Sequence, residues 1–501
     1  VMKKIAGETA AMPPSLKTFS SVLPKGALAY INGRWVQSSS KASFDVVNPF
    51  NSQVITATAN CTVDDAKQAV ESARIAFESW SKETTARQKS AVLSKWARLL
   101  EENKESLGQL LSLEQGKPLA EAKGEIDYSL SYLDWYSGEA RRVYGQVVAA
   151  PTLNREHIHI REPIGVVALI TPWNFPTAMI ARKAAAAIAV GCSVIIKPAE
   201  DTPLSALAFA QMGEEAGVPA GLVNVLPADR PRSAEIGRFL CESPDVDAIS
   251  FTGSTAVGKM LLSQSASTVK RVCLELGGNA PLIIFSSADL DVAVKGVMAS
   301  KFRGSGQTCV SANRIFVHSS ILEEFIQKLK TAMNSSLKVG DGLQTGTTQG
   351  PLINQRAVEK ISSLISDATG KGARLEVGGR ALHDSLFEPT LLTGVTPSMR
   401  IAHEEIFGPV AAVHEFTDEA EVVKRANTTR SGLAGYIFSK DSAQIYRVTR
   451  SLQVGMIGVN EGMMSCAEAA FGGVKESGMG REGAMQGLDE FTQWKYICTQ
   501  H

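Results

Sequence analysis

The feature that most narrows what this chain can fold into is an alternation that begins at residue 165. Apolar, strand-like runs (GVVALITP, SVIIKPAE, VNVLP, AISFTGS) are separated by helical stretches: the Ala-rich 176–190, LSALAFAQMGEEAG, a segment around 232–241, and TAVGKMLLSQSA. Runs that are apolar throughout, not at every second residue, suit strands buried on both faces, and strand–helix alternation is the pattern of a parallel sheet wrapped by helices. A second series of the same kind starts near Leu282 (PLIIF) and continues to about Asn460. Before them, LAYINGRWV and FDVVNP read as extended, and 63–138 reads as helical. HIHIREPIG and the tail FTQWKYIC read as lone strands, free to pair with each other or with a neighbouring subunit. The fold class expected is therefore α/β, and 501 residues leave room for two or three structural units.

Composition removes several function classes. Lys+Arg and Asp+Glu balance at 51 each, so no global field favours nucleic acid or an anionic membrane. The longest near-apolar stretch, Ala184–Ile196, has 13 residues, short of the roughly 18 of a spanning helix. The seven cysteines (Cys61, Cys192, Cys241, Cys273, Cys309, Cys466, Cys498) are scattered, without CxxC or Cys/His metal spacing, which points to reduced thiols and no metal. The first 25 residues hold four lysines, Ser and Thr but no apolar core segment, so a secretory signal is not expected; the remnant of an organellar presequence is an open reading.

Several short segments carry candidate chemistry, each with a plainer alternative. FRGSGQTCVSANR sets Cys309 behind a glycine-rich bend with small polar residues on its far side, a place for a separate thiol or for a plain buried small residue. AISFTGSTAVG places Gly253, Ser254 and Gly258 at a strand-to-helix turn that could aim N–H groups at a phosphate, or be only a tight turn; its spacing is not GxGxxG. SVIIKPAE ends a buried strand in Lys197, Pro198, Ala199 and Glu200; the lysine could reach cofactor hydroxyls or phosphate, and the carboxylate could accept from ribose and repel a 2′-phosphate, unless both are solvated loop residues. TPWNFPT holds Asn174 between Trp173 and Phe175, stiff enough to donate to an oxyanion or merely to satisfy a loop. ELGGNAP offers Glu275 as a buried general base, and EEIFGP offers Glu405 and an aromatic, Phe407, to flank a flat ring; a helix-end charge and a core phenylalanine are the alternatives.

Taken in order, PWNFP, KPAE, FTGSTAVG, LELGGNAP, GQTCV, EEIFGPV and FGGVKESGMGRE resemble the aldehyde dehydrogenase superfamily over nearly the whole chain, with Glu275 and Cys309 spaced as in that family. The resemblance implies a Rossmann-type NAD-binding domain (1–140 and 161–273), a catalytic domain (274–470) and a bridging element (141–160 and 471–501) that completes a homodimer or homotetramer. It implies Cys309 as nucleophile, approached by substrate and nicotinamide on a small-residue loop that need not be packed solid, with Asn174 and the Cys309 N–H as oxyanion donors and Glu275 as the base for thioester hydrolysis. Cofactor contacts are implied at Trp173, Lys197, Pro198, Ala199, Glu200, Gly253, Ser254, Gly258, Glu405 and Phe407. Within the family the similarity is greatest to the succinate-semialdehyde dehydrogenases, through MIARKAAAA (Arg182), KFRGSGQTC (Arg303) and VNEGMMSCAEAAFGG (Ser465), which implies a short aldehyde ending in carboxylate as substrate. Either arginine could instead pair with a structural acid, leaving another semialdehyde or aliphatic aldehyde as substrate. Animal-type relatives imply a mitochondrial matrix, with the cytoplasm as the alternative. Many members of that branch carry a second cysteine two residues after the nucleophile. Here Ser311 stands there, so a local disulfide switch is absent unless Cys466, beside Ser465, replaces it.

Overall fold

A computed structural model describes residues 17–501. Most of the lysine-bearing start lies outside the described residues. The alternation beginning at 165 folds as the centre of an eight-stranded sheet, in spatial order Arg34–Val36, Ala29–Ile31, Val223–Val225, Ser193–Lys197, Val166–Ile170, Ala248–Thr252, Arg271–Glu275 and Gly478–Met479. The five central strands are parallel, and antiparallel strands close both edges. Val167 and Leu169 face one apolar core while Val166, Ala168 and Ile170 face another. This is why the run is continuously apolar: each such fully buried aliphatic side chain contributes roughly 1.5–3 kcal/mol.

The helical stretch resolves into Val63–Glu83, Ala86–Glu102, Lys104–Gln115 and Leu119–Glu139. Thr62 with Asp65, and Thr85 with Gln88, form reciprocal caps that start the first two. The Ala-rich helix Ala178–Val190 is buried at every position, and its small side chains let it lie close under the sheet.

The second series builds a seven-stranded sheet, ordered Arg374–Val377, Thr390–Thr393, Val410–Phe416, Ala312–His318, Ala280–Ile284, Ala434–Phe438 and Met456–Val459, all parallel except the first strand. The architecture is α/β. The two lone strands pair with each other, antiparallel from Thr492↔Pro163 to Gln500↔Arg155, and Gln146–Val148 completes a three-stranded sheet. Within 471–501, grouped above with the bridging element, Gly478–Met479 joins the first sheet and Leu488 and Phe491 enter its core; Thr492–Gln500 is the part that lies in the third sheet. Among the described residues no helix is long and apolar enough to cross a membrane.

Candidate active site

In the first sheet the chain steps from Val166–Ile170 through Ser193–Lys197 to Val223–Val225 on one side, then returns to the other side with Ala248–Thr252. Ligands in open α/β sheets sit beyond the strands' carboxyl ends where the order reverses. Thr171–Asn174, Lys197–Glu200, Gly253–Ser254 and Glu275 lie at or directly beyond the carboxyl ends of strands in this sheet. Facing them are segments that precede strands of the second sheet: Cys309 before Ala312, Glu405 and Phe407 before Val410, and Leu433 before Ala434. A cavity of about 430 Å³ lies between the two edges. It gathers Cys309, Glu275, Asn174, Trp173, Gly253, Ser254, Glu405, Phe407, Arg182, Arg303 and Ser465 from across the chain. Lys197, Pro198, Ala199, Glu200 and Gly258 stand outside its lining. A Cβ on Gly258 would lie 2.4 Å from Leu276 Cδ2, so this glycine lets its helix pack against the segment after Glu275.

The bend before Cys309 differs from the loose loop expected. Gly304, Ser305 and Gly306 all take left-handed φ values (59°, 57° and 72°). Ser305 Oγ donates to the Gly350 carbonyl at 2.8 Å, and Gln307 Oε1 accepts from the Ile353 N–H at 2.9 Å. A Cβ on Gly306 would fall 2.1 Å from the Gly408 carbonyl oxygen, and one on Gly278 would fall 2.5 Å from that of Cys309. The glycines thus bring backbone against backbone and fix the thiol's position, and the space in front of it comes from the gap between the sheets.

Asn174 Nδ2 donates to the Gln307 carbonyl at 3.0 Å and Oδ1 accepts from the Phe175 N–H at 3.1 Å, which settles the amide's orientation and leaves one Nδ2 hydrogen. Burial pushes the Cys309 thiol up to about 12, with Arg182 pulling the other way. Glu275 is buried, and neither carboxyl oxygen has a hydrogen-bond partner. Burial and then the charge of Glu482 push it well above the usual carboxylate range, only partly offset by Arg182, Lys183 and Arg481.

Glu482 is the residue the sequence reading missed. Buried with Arg182 and Lys183, it accepts from Arg182 Nε and Lys183 Nζ, and Lys183 also donates to Ser250 Oγ at 3.0 Å. Burial alone would raise Glu482, but the two cations outweigh it and hold it below its ordinary value. The structural pairing considered for Arg182 is therefore real, yet incomplete. Two cations share one carboxylate, and Arg182 Nη2 remains without a partner, with its guanidinium 4.3 Å from the Phe471 ring centroid. The Arg303 side chain makes no ion pair or hydrogen bond among the described residues and lies 5.3 Å from the Phe175 ring centroid.

Toward the other end, Trp173 and Phe407 meet edge-on at 5.5 Å, Phe407 with a φ of 55°. Glu405 Oε1 accepts from the Gly278 N–H at 3.0 Å. Arg230, Arg356 and Lys360 line the same cavity, a cationic group with no signature in the sequence, and the buried Thr252 hydroxyl lacks a partner. Cations beside the start of the helix Thr255–Ser265, a free hydroxyl and an aromatic pair fit a flat-ringed dinucleotide with an anionic pyrophosphate. Burial lowers Lys197 to about 8, and its Nζ donates to Ser233 Oγ at 2.5 Å. Ser311 is buried with an unpartnered hydroxyl; Cys466 is exposed and outside the lining, and none of the seven cysteines is in a disulfide. Among the described residues no cluster could hold a metal ion.

The profile of the aldehyde dehydrogenase family matches residues 35–497. A mitochondrial succinate-semialdehyde dehydrogenase of Hylobates lar is 50% identical over 472 residues, 94% of this chain and 88% of that protein. A 3-sulfolactaldehyde dehydrogenase of Pseudomonas putida is 49% identical over 472 residues, 94% of this chain and 96% of that one. Among solved structures, an E. coli enzyme described as NADP dependent has a TM-score of 0.93 at 44% identity, covering 95% of this chain and 98% of that one. A betaine aldehyde dehydrogenase from Staphylococcus aureus in complex with NAD+ has a TM-score of 0.92 at 36% identity, with 96% of each chain covered.

Proposed function

The chain belongs to the aldehyde dehydrogenase family, and from that premise we propose that it oxidises succinate semialdehyde to succinate with NAD. The observation that carries this reading is the unsatisfied cationic end of the cavity. Arg182 Nη2 and the whole Arg303 guanidinium are free to take a carboxylate, and Ser465 adds a hydroxyl.

Cys309 is the nucleophile. With its proton held up to about 12, it is a thiol at neutral pH and must lose that proton to solvent before it attacks, a loss the Arg182 charge favours. The Cys309 sulfur adds to the aldehyde carbon, and the free Asn174 Nδ2 hydrogen and the Cys309 backbone N–H stabilise the oxyanion. NAD, once held there, would supply the hydride acceptor. The resulting thioester on Cys309 is cleaved by water whose proton passes to the Glu275 carboxylate. Arg230, Arg356 and Lys360 would face the pyrophosphate, and Trp173, Glu405 and Phe407 the nicotinamide end. The division into NAD-binding, catalytic and bridging parts belongs to the same reading. So does assembly into a homodimer or homotetramer through the exposed strands Gln146–Val148 and Thr492–Gln500. The mitochondrial naming of one relative supports a matrix location.

The first test compares kcat/KM for 4-oxobutanoate and butanal, which differ chiefly in the terminal carboxylate. Charge-assisted hydrogen bonds of about 1.5–3 kcal/mol predict roughly a 10- to 100-fold preference per arginine contact. Equal values would discard the clamp. The same cationic end suits a sulfonate, so 3-sulfolactaldehyde is the competing substrate to run beside it; a higher kcat/KM for it would replace succinate semialdehyde in the assignment. NAD preference is expected from Glu200, and Glu200→Gln should narrow the NAD-to-NADP ratio of kcat/KM by about tenfold. NADP used as well as NAD by the unaltered enzyme would refute that role.

A further inference from the structure

We propose that Lys117, Glu121 and Glu125 form a bracket that sets the oxyanion donor and the nucleophile loop against each other; this rests on the roles given above to Asn174 and Cys309. Glu121 and Glu125 lie one turn apart on the helix Leu119–Glu139, so both carboxylates leave the same face.

Glu125 reaches the segment that carries Asn174. Its Oε1 accepts from the Thr177 and Ala178 N–H groups at 2.9 and 3.2 Å, the start of the helix Ala178–Val190, where Thr177 supplies no side-chain cap of its own. Its Oε2 accepts from Lys117 Nζ at 2.6 Å, and that ammonium also donates to the Asn174 carbonyl at 2.7 Å. Both ends of 174–178 are thus tied to one carboxylate. Lys117 is itself fixed: Ser112 Oγ donates to its carbonyl at 2.6 Å, and Gly116 is packed so closely that a Cβ there would fall 2.5 Å from Pro351 Cγ.

Glu121 reaches the opposite jaw. Its Oε2 accepts from the Gly304 N–H at 2.9 Å, where the chain turns left-handed on its way to Cys309. Between the jaws lies the Phe175 ring, with Lys117 Nζ 4.1 Å and Arg303 5.3 Å from its centroid. The side chains of Lys117 and Glu125 are 2% and 0% exposed. An ion pair so buried gains little net stability over an apolar pair of the same shape. What it adds is direction: a hydrogen bond to one particular carbonyl and to two particular N–H groups, the kind of constraint an oxyanion donor needs. Lys117, Glu121 and Glu125 are positioning residues; none of the three lines the cavity.

The test is a cycle between Lys117→Met/Glu125→Gln and Asn174→Ala. The paired change removes both charges together and keeps a carbonyl acceptor at 125 for the helix N–H groups. In the otherwise unaltered enzyme, kcat and the single-turnover rate should fall about 10- to 100-fold, while KM for 4-oxobutanoate and Kd for NAD stay within about threefold. In the Asn174→Ala background the same change should cost less than about threefold, because the group it positions is already gone. Losses that multiply in full, or an unchanged kcat, would overturn the bracket. If Asn174→Ala alone left kcat within about threefold, the oxyanion role itself would fall and the bracket with it, a failure visible in the single variant. Glu125→Gln carried through the same cycle gives the same readout should the paired variant melt too low for assay.

Discussion

Cys309→Ala is expected to lower kcat for every aldehyde by at least about 10⁴-fold, since removing a covalent nucleophile leaves only binding and oxyanion stabilisation. The fold should survive. The Cys309 side chain is only partly buried and packs at the margin of a core otherwise made by Phe302, Val310 and their neighbours. Loop geometry is fixed by the left-handed turn and by the Gln307 contacts, which the substitution does not touch. NAD affinity, followed by fluorescence titration, should therefore change little while NADH formation disappears. The other six thiols sharpen the experiment: Cys61, Cys192, Cys241 and Cys273 are buried, and Cys466 and Cys498 are exposed and outside the cavity lining. Cys466→Ala should leave kcat within about twofold, as a change at an exposed side chain outside the cavity lining. Retention of more than about 1% of kcat by Cys309→Ala would mean that the thiol forms no obligatory intermediate.

The sheets were legible because their cause is local. A strand buried on both faces is apolar along most of its length: Val166–Ile170 is so throughout, and Ser193–Lys197 and Ala248–Thr252 carry Val194–Ile195–Ile196 and Ala248, Ile249 and Phe251, a signal readable without reference to the rest of the chain. Asn174, Glu275 and Cys309 could be picked out because rigid or glycine-bearing segments surround each, and their shared cavity follows from where the strands end. Glu482 was not legible. Arg182 and Lys183 in an otherwise apolar helix signal that some acid must accompany them, yet its position, 300 residues away, is set by how the second half of the chain folds back. The Lys117 and Glu125 contacts to 174–178 are hidden for the same reason. Gly306 was legible as a glycine but misread in purpose: sequence shows the missing side chain, and only the fold shows whether substrate or backbone occupies the space.

Glu482 also determines how the second large effect should look. Glu275→Gln is expected to slow steady-state turnover by about 10²–10⁴-fold while leaving a pre-steady-state burst of NADH, because general-base loss stops thioester hydrolysis after hydride has left. The pH dependence carries the sign. Burial and the Glu482 charge disfavour the Glu275 carboxylate, so the group is held protonated to a pH well above the ordinary carboxylate range. Only the ionised form can take a proton from water, so kcat of the unaltered enzyme should rise with pH through that raised value and then level, and Glu275→Gln should erase the rise. Glu482→Gln removes the negative neighbour and frees the Arg182 and Lys183 charges, both of which favour the Glu275 carboxylate, so the same limb should move to lower pH. Attack by Cys309 is read separately, in the rate of the burst, because its own proton is also held up by burial. A Glu275→Gln enzyme that loses the burst together with turnover would place Glu275 at thiol activation instead. A limb that stays fixed in Glu482→Gln would show that burial alone, without the buried charge cluster, tunes the base.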